Sequence, residues 1–199
     1  MTPDILLALI VFAFASSITP GPNNMMLMAS GANFGFRRTV PHMLGVSLGF
    51  TLMVLLVGIG LVQIFVSFPV SYTVLKVVSV VYLVYLAWKI ATAAPTTTSK
   101  GEGGTPMTFM QAVLFQWVNP KGWTMALTAV SIYSPSQSLS AVASVAGVFG
   151  AVNFPCIFVW VVMGLQMQRL LTSASRLRAF NIFMAVLLVG SLYPVLMPA

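Results

Sequence analysis

Thr19-Pro20-Gly21-Pro22-Asn23-Asn24 and Asn119-Pro120-Lys121-Gly122 are the two places in this chain where residue types and spacing could do chemistry. Each interrupts a long apolar stretch. Pro20 and Pro22 remove two backbone donors and obstruct regular helix geometry around Gly21. The freed carbonyls, with the side-chain amides of Asn23 and Asn24, could coordinate a polar solute. A helix restarting after the break would offer unpaired N–H groups and a partial positive end, suited to a carboxylate. The competing reading of the same residues is a packing kink with no ligand.

Lys121 is the sharpest single residue. It stands about 13 residues beyond the start of its apolar stretch, roughly 20 Å along a helix, too deep to reach an interface easily. A lysine at bilayer depth costs about 2.5–3.5 kcal/mol on insertion scales, so it must face a cavity or a partner. It could receive a solute carboxylate or sense a coupling proton; equally, it could be a structural cation held by the carbonyls that the breaks release. Asn153 and Pro155 read as a further polar break, where Asn153 lines a pathway or makes a helix-to-helix hydrogen bond. Lys76 lies near the end of its stretch and can snorkel. His42, beside Arg37 and Arg38, is a lone histidine and no metal ligand on its own.

Other chemistries lack their residues. The only acids are Asp4 and Glu102, so there is no carboxylate pair for acid–base work and no buried acid to carry protons. Neither a P-loop lysine motif nor a metal-ligand cluster occurs, and no cofactor or metal is expected. Cys156 is the only cysteine, which excludes an internal disulfide and a dithiol pair.

The elements that must position these residues are membrane helices. The chain is 59% hydrophobic and 6% charged, against about 25% charged in soluble domains. A span needs about 20 apolar residues, and six stretches qualify, at roughly 4–32, 40–66, 70–92, 107–132, 139–168 and 177–197. Pro69 and Pro135 stand near the turns between the second and third and between the fourth and fifth. Residues 5–15 resemble a signal-peptide core, but no Lys or Arg precedes them, so retention as the first span is expected.

The net charge of +7 is concentrated in alternate connections: Arg37 and Arg38, Lys89 and Lys100, then Arg169, Arg176 and Arg178. That is the positive-inside pattern, not a nucleic-acid surface. It predicts both termini outside and the Thr/Gly/Pro-rich linker at residues 94–106 in the cytoplasm.

The linker divides residues 1–93 from residues 107–199, and the halves correspond. Pro20 pairs with Pro120, Gly45 and Gly49 with Gly147 and Gly150, and Lys76 with Arg178. Three spans per half is an odd number, so the second half enters the membrane upside down. The expected fold is all-α: a polytopic membrane protein of six transmembrane helices in two inverted three-helix repeats. Paired interruptions in such repeats point to a transporter's solute site. Ala143, Gly147 and Ala151, like Gly45 and Gly49, put small residues on one helix face, for close approach inside the bundle or across a homodimer. Trp88 and Tyr82 read as lipid-facing or interfacial.

Several of these stretches resemble the LysE/RhtB family of amino-acid exporters. They are Thr19 to Asn24, Gly35-Phe36-Arg37, Gly45-Val46-Ser47-Leu48-Gly49, Tyr82-Leu83-Val84-Tyr85-Leu86-Ala87-Trp88-Lys89 and Asn119-Pro120-Lys121. The resemblance spans nearly the whole chain and is more specific before Lys121 than after it. The first half is most similar to the branch exporting cysteine and O-acetylserine. The resemblance implies a bacterial inner-membrane exporter of small amino acids, an exchanger driven by proton motive force. Its motifs fall on Pro20, Gly21, Pro22, Asn23, Asn119, Pro120 and Lys121. A passive channel or non-transporting scaffold is the alternative; an enzyme is disfavoured because no nucleophile–base pair exists.

Overall fold

A computed structural model of the chain describes residues 1–61, 63, 67–68, 70–93, 105–134, 136 and 138–193. Most of the linker, residues 94–104, and Pro69, Pro135 and residues 194–199 lie outside the described residues. Among the described residues the fold is built from seven α-helices: α1 (Pro3–Ile18), α2 (Pro22–Leu56), α3 (Val70–Ala91), α4 (Phe109–Phe115), α5 (Pro120–Tyr133), α6 (Leu139–Leu170) and α7 (Ala174–Gly190). A π-helical turn, Val57–Leu61, extends α2, and a 3-10 turn, Gln116–Val118, follows α4. Among the described residues there is no strand.

Local sequence sets the helix ends. Thr108 and Gln111 form a capping box at the start of α4: the Thr108 Oγ1 accepts from Gln111 N at 3.2 Å, and Thr108 N donates to Gln111 Oε1 at 3.0 Å. Ser138 and Ser173 cap α6 and α7 through the N–H groups of Ala141 and Arg176. Pro22 and Pro120 occupy the first position of α2 and α5, where a missing N–H costs nothing.

The first and second apolar stretches meet at a corner inside α2: two helices join at Gly35, whose φ of 76° is open to glycine but strained for other residues. Thr39 Oγ1 bonds the Gly35 carbonyl at 2.9 Å and the Ser30 hydroxyl at 2.9 Å, pinning the corner. One expectation about helix continuity is corrected: Asn153 and Pro155 do not break α6, which runs helical from end to end. Proline is tolerated inside a membrane helix where neighbours satisfy the one freed carbonyl.

By length and composition, three helical elements among the described residues can cross a membrane: Pro22–Leu61, Val70–Ala91 and Leu139–Leu170. Pro3–Ile18 and Phe109–Val118 are shorter apolar helices. The exterior suits lipid. Val11, Phe14, Val81, Trp88, Phe183 and Val186 are all exposed. Tyr82, expected to be lipid-facing or interfacial, is half-buried with its ring 5.9 Å from that of Phe115 between centroids.

The core is organised around α2 and α6, which lie antiparallel in close contact. A Cβ on Gly164 would strike the Met28 carbonyl, and one on Gly31 would lie 2.7 Å from the Val161 carbonyl. Farther along, Gly150 meets Thr51 and Gly58 meets Val142. Gly45 and Gly49 admit α4, as the small-residue spacing predicts. Ala143, Gly147 and Ala151 do not serve the bundle interior; they are exposed on the outer side of α6, and nothing lies within 4 Å of a Cβ on Gly147. On the remaining faces, α1 packs on α6 and α3 packs on α7.

Backbone-to-backbone packing at Gly164 leaves no room to repack. Gly164→Leu should lower stability by about 1–3 kcal/mol or more, read as a reduced unfolding midpoint in detergent. Gly147→Ala, on the open face, should be neutral or stabilising by up to about 1 kcal/mol through helix propensity.

Candidate functional site

At the first break, Thr19 and Gly21 are extended (ψ 149° and 173°), and the chain re-enters a helix at Pro22. The second break is Asn119, extended at φ −95°, ψ 104°, after which α5 starts at Pro120. Backbone groups released at these points find side-chain partners. Asn24 Nδ2 donates to the carbonyls of Ser17 and Thr19, both at 2.8 Å. Trp160 Nε1 donates to Ile18 O at 3.1 Å.

Lys121 reaches across from the second break to the first. Its ammonium donates to Thr19 O at 2.9 Å, Thr19 Oγ1 at 2.8 Å and Pro20 O at 3.2 Å. Three donors on three neutral oxygens satisfy the ammonium's hydrogen-bonding capacity but leave its charge without a counter-ion at these contacts. Gly21 makes the reach feasible, because a Cβ there would lie 2.7 Å from Lys121 Cδ. A reciprocal amide pair adds a second bridge: Asn23 Nδ2 donates to Gln116 Oε1 at 2.9 Å and Gln116 Nε2 to Asn23 Oδ1 at 3.2 Å.

Between the breaks lies a cavity of about 20 Å³. Gly21, Pro22, Asn23, Asn24, Asn119, Lys121 and Asn153 line it, together with Ser16, Ser17, Gly122 and the apolar Phe50, Met125 and Ile157. Pro20 and Pro120 are not in its wall. Pro20 contributes its carbonyl to Lys121, and Pro120 starts α5. Asn153 Nδ2 donates to Ser17 Oγ at 3.1 Å, tying α6 to the end of α1. Its Oδ1 and that of Asn119 are buried with no hydrogen-bond partner in the protein.

Sequence reasoning missed Ser16, Ser17 and Gln116. Gln116 is fully buried, and an amide within an apolar stretch was a usable signal for it.

The electrostatics are lopsided in an informative way. The helices α2 and α5 both begin at the cavity with no side-chain cap, so first-turn N–H groups lack intrahelical partners. Two positive helix ends and an ammonium favour an anion. The unpartnered oxygens of Asn119 and Asn153 favour a hydrogen-bond donor, since a buried acceptor left empty costs about 1–3 kcal/mol. Such a set offers a place for one group of each kind. The space present holds about one water, so the site is closed.

The sequence matches the family described as LysE type translocator over residues 14–191. It is similar to the cysteine/O-acetylserine efflux proteins of Escherichia coli (strain K12) and Shigella sonnei (strain Ss046). Each is 32% identical over 191 residues, covering 95% of this chain and 96% of the relative. No solved structure matches the chain. A match along this much of the chain, joined to an all-helical fold, makes the protein a member of the LysE type translocator family, whose proteins are transporters and not enzymes.

Proposed function

We propose that the chain is a secondary transporter exporting small amino acids or related zwitterionic metabolites across the bacterial inner membrane, driven by proton motive force. The observation that carries this reading is the cavity joining both breaks, with positive ends and a lysine beside two unpartnered carbonyl oxygens. A zwitterion complements both. Its carboxylate takes Lys121 or the helix end at Pro22, and its ammonium meets Asn119 and Asn153. The apolar wall of Phe50, Met125 and Ile157 suits a short side chain. The names of the relatives make cysteine and O-acetylserine the first solutes to try.

The reading includes six spans in two inverted repeats, residues 1–93 and 107–199, with both termini outside. The packing pairs support it. Exchanging the first and fourth spans, the second and fifth, and the third and sixth turns the contact of α4 with α2 into that of α1 with α6. The same exchange returns α2 with α6, and α3 with α7, to themselves. It also includes a homodimer, for which the exposed Ala143, Gly147 and Ala151 of α6 offer a close-packing face. In the transport step, a carboxylate draws Lys121 away from Thr19 and Pro20, which loosens the contact between the breaks and lets the two repeats rock apart on one side.

Counterflow of labelled cysteine or O-acetylserine into preloaded vesicles should occur and should respond to an imposed pH gradient; a broad amino-acid panel without counterflow would defeat the reading. Lys121→Met should cut the rate by about tenfold or more, the equivalent of one charge-assisted hydrogen bond of about 1.5–3 kcal/mol. Full retention of counterflow by that variant would favour a structural lysine, and flux without counterflow a passive channel. Gly21→Ala should shift the rate in the same direction by less, because the Lys121 chain can bend aside.

A further inference from the structure

A second and much larger cavity, about 300 Å³, lies beyond the closed one and uses none of its residues. Its wall includes Met26, Ser30 and Asn33 of α2, His42 after the corner, Lys89 of α3 and Thr105 ahead of α4. The volume is in the range of small-molecule sites. Its lining is held firmly. Asn33 and Asn181 exchange amide hydrogen bonds at 2.7 and 3.0 Å, and Asn181 also reaches Ala93 O at 3.4 Å.

His42 is the feature without a structural explanation. It is 1% exposed, and neither ring nitrogen has a hydrogen-bond partner in the protein. A neutral imidazole offers one donor and one acceptor, the pair that a carboxylate and an ammonium on one small molecule would use. The charged side chain facing the same space, among the described residues, is Lys89. Phe34, also in the wall, carries the Arg38 guanidinium 5.3 Å from its ring. The cavity therefore sits on the side rich in basic residues, the cytoplasmic side by the charge rule.

The two cavities are neighbours along one helix. Asn23 lines the closed one and Met26 the larger one, a separation of three residues, or about 4.5 Å of helix rise. Across that single turn stand the Asn23–Gln116 amide pair and the packed side chains of Met26 and Phe115. Gln116 is held in place by a further bond to Ala112 O at 2.9 Å.

We propose that the larger cavity is a loading site, where a zwitterionic solute is first bound from the cytoplasm by His42 and Lys89, and that the Asn23–Gln116 pair is the gate through which it passes to the closed site. This rests on the export reading for the identity of the solute, but not for the position of the gate.

Thiol labelling separates the two. Cys156 is the chain's sole cysteine, so Cys156→Ala gives a background into which Ser30→Cys (larger cavity) or Ser16→Cys (closed cavity) is introduced. A charged, membrane-impermeant methanethiosulfonate is applied to inside-out and right-side-out vesicles. The thiol of Ser30→Cys should react from the cytoplasmic face, and O-acetylserine should slow it at least threefold. Adding His42→Leu should raise the O-acetylserine concentration needed by about tenfold, with His42→Gln intermediate. The thiol of Ser16→Cys should be unreactive from the cytoplasm until Gln116→Ala or Asn23→Ala is added. Reaction of Ser30→Cys from the outer face alone, or no change at Ser16→Cys with either gate variant, would overturn the proposal. Counterflow without O-acetylserine protection at Ser30→Cys would remove the loading site and leave the export reading standing. Cytoplasmic labelling and gate behaviour in vesicles that move no amino acid would do the reverse.

Discussion

The bond between Lys121 and the carbonyls of Thr19 and Pro20 is the interaction on which the rest of this structure depends. At bilayer depth a polar backbone group cannot turn to water, and each one left unpaired costs several kcal/mol. A chain with Pro20, Pro22 and Pro120 inside apolar stretches has created such groups in two places. It satisfies the first break with a cation supplied by the second, alongside the Asn24 amide and the Trp160 indole. The interruption of one helix thus fixes the position of another from the opposite half of the sequence.

The site follows from the same constraint. Proline at the first position of α2 and of α5 makes each break end in a fresh helix N-terminus, so both positive ends arrive at one point. The amides that settle the debris of the first break, Asn24 on Ser17 and Thr19 and Asn153 on Ser17, crowd around it. Their geometry leaves Asn119 and Asn153 each with an unused oxygen. The interactions that keep the helices together thereby also line a pocket with positive helix ends and an ammonium on one side and unpartnered carbonyl oxygens on the other. At these contacts Lys121 is held by neutral oxygens rather than by a carboxylate.

Close backbone contact supplies the frame. The α2–α6 seam brings the two longest helices into close contact at Gly31, Gly164 and Gly150, and next to Gly150 the ring of Phe50 of α2 packs edge-on against Phe149 of α6 with ring centroids 5.1 Å apart. The larger cavity is lined by α2 on both sides of its corner at Gly35, by α3 and by the residues just ahead of α4.

The sequence by itself determined that the protein is helical and built for lipid. It also determined that residues 19–24 and 119–122 are its polar interruptions and that Lys121 must find an internal partner, because these follow from composition, proline chemistry and the cost of a deep charge. Asn153 was recognisable as a polar residue in an apolar helix, although α6 passes through Pro155 without the break its proline suggested. The connection around Arg37 and Arg38 was legible, but the positive φ of Gly35 that makes it a sharp corner was not, since a glycine in the sequence does not announce its backbone angle. What only the tertiary structure decided was pairing: that Lys121 meets Thr19 and Pro20, that Gln116 meets Asn23, and that His42 is buried beside a cavity with no partner. Each joins elements from different parts of the chain, or reports what is missing around a side chain. Local sequence fixes what a residue can bond, but only the packed helices fix which partner comes within reach.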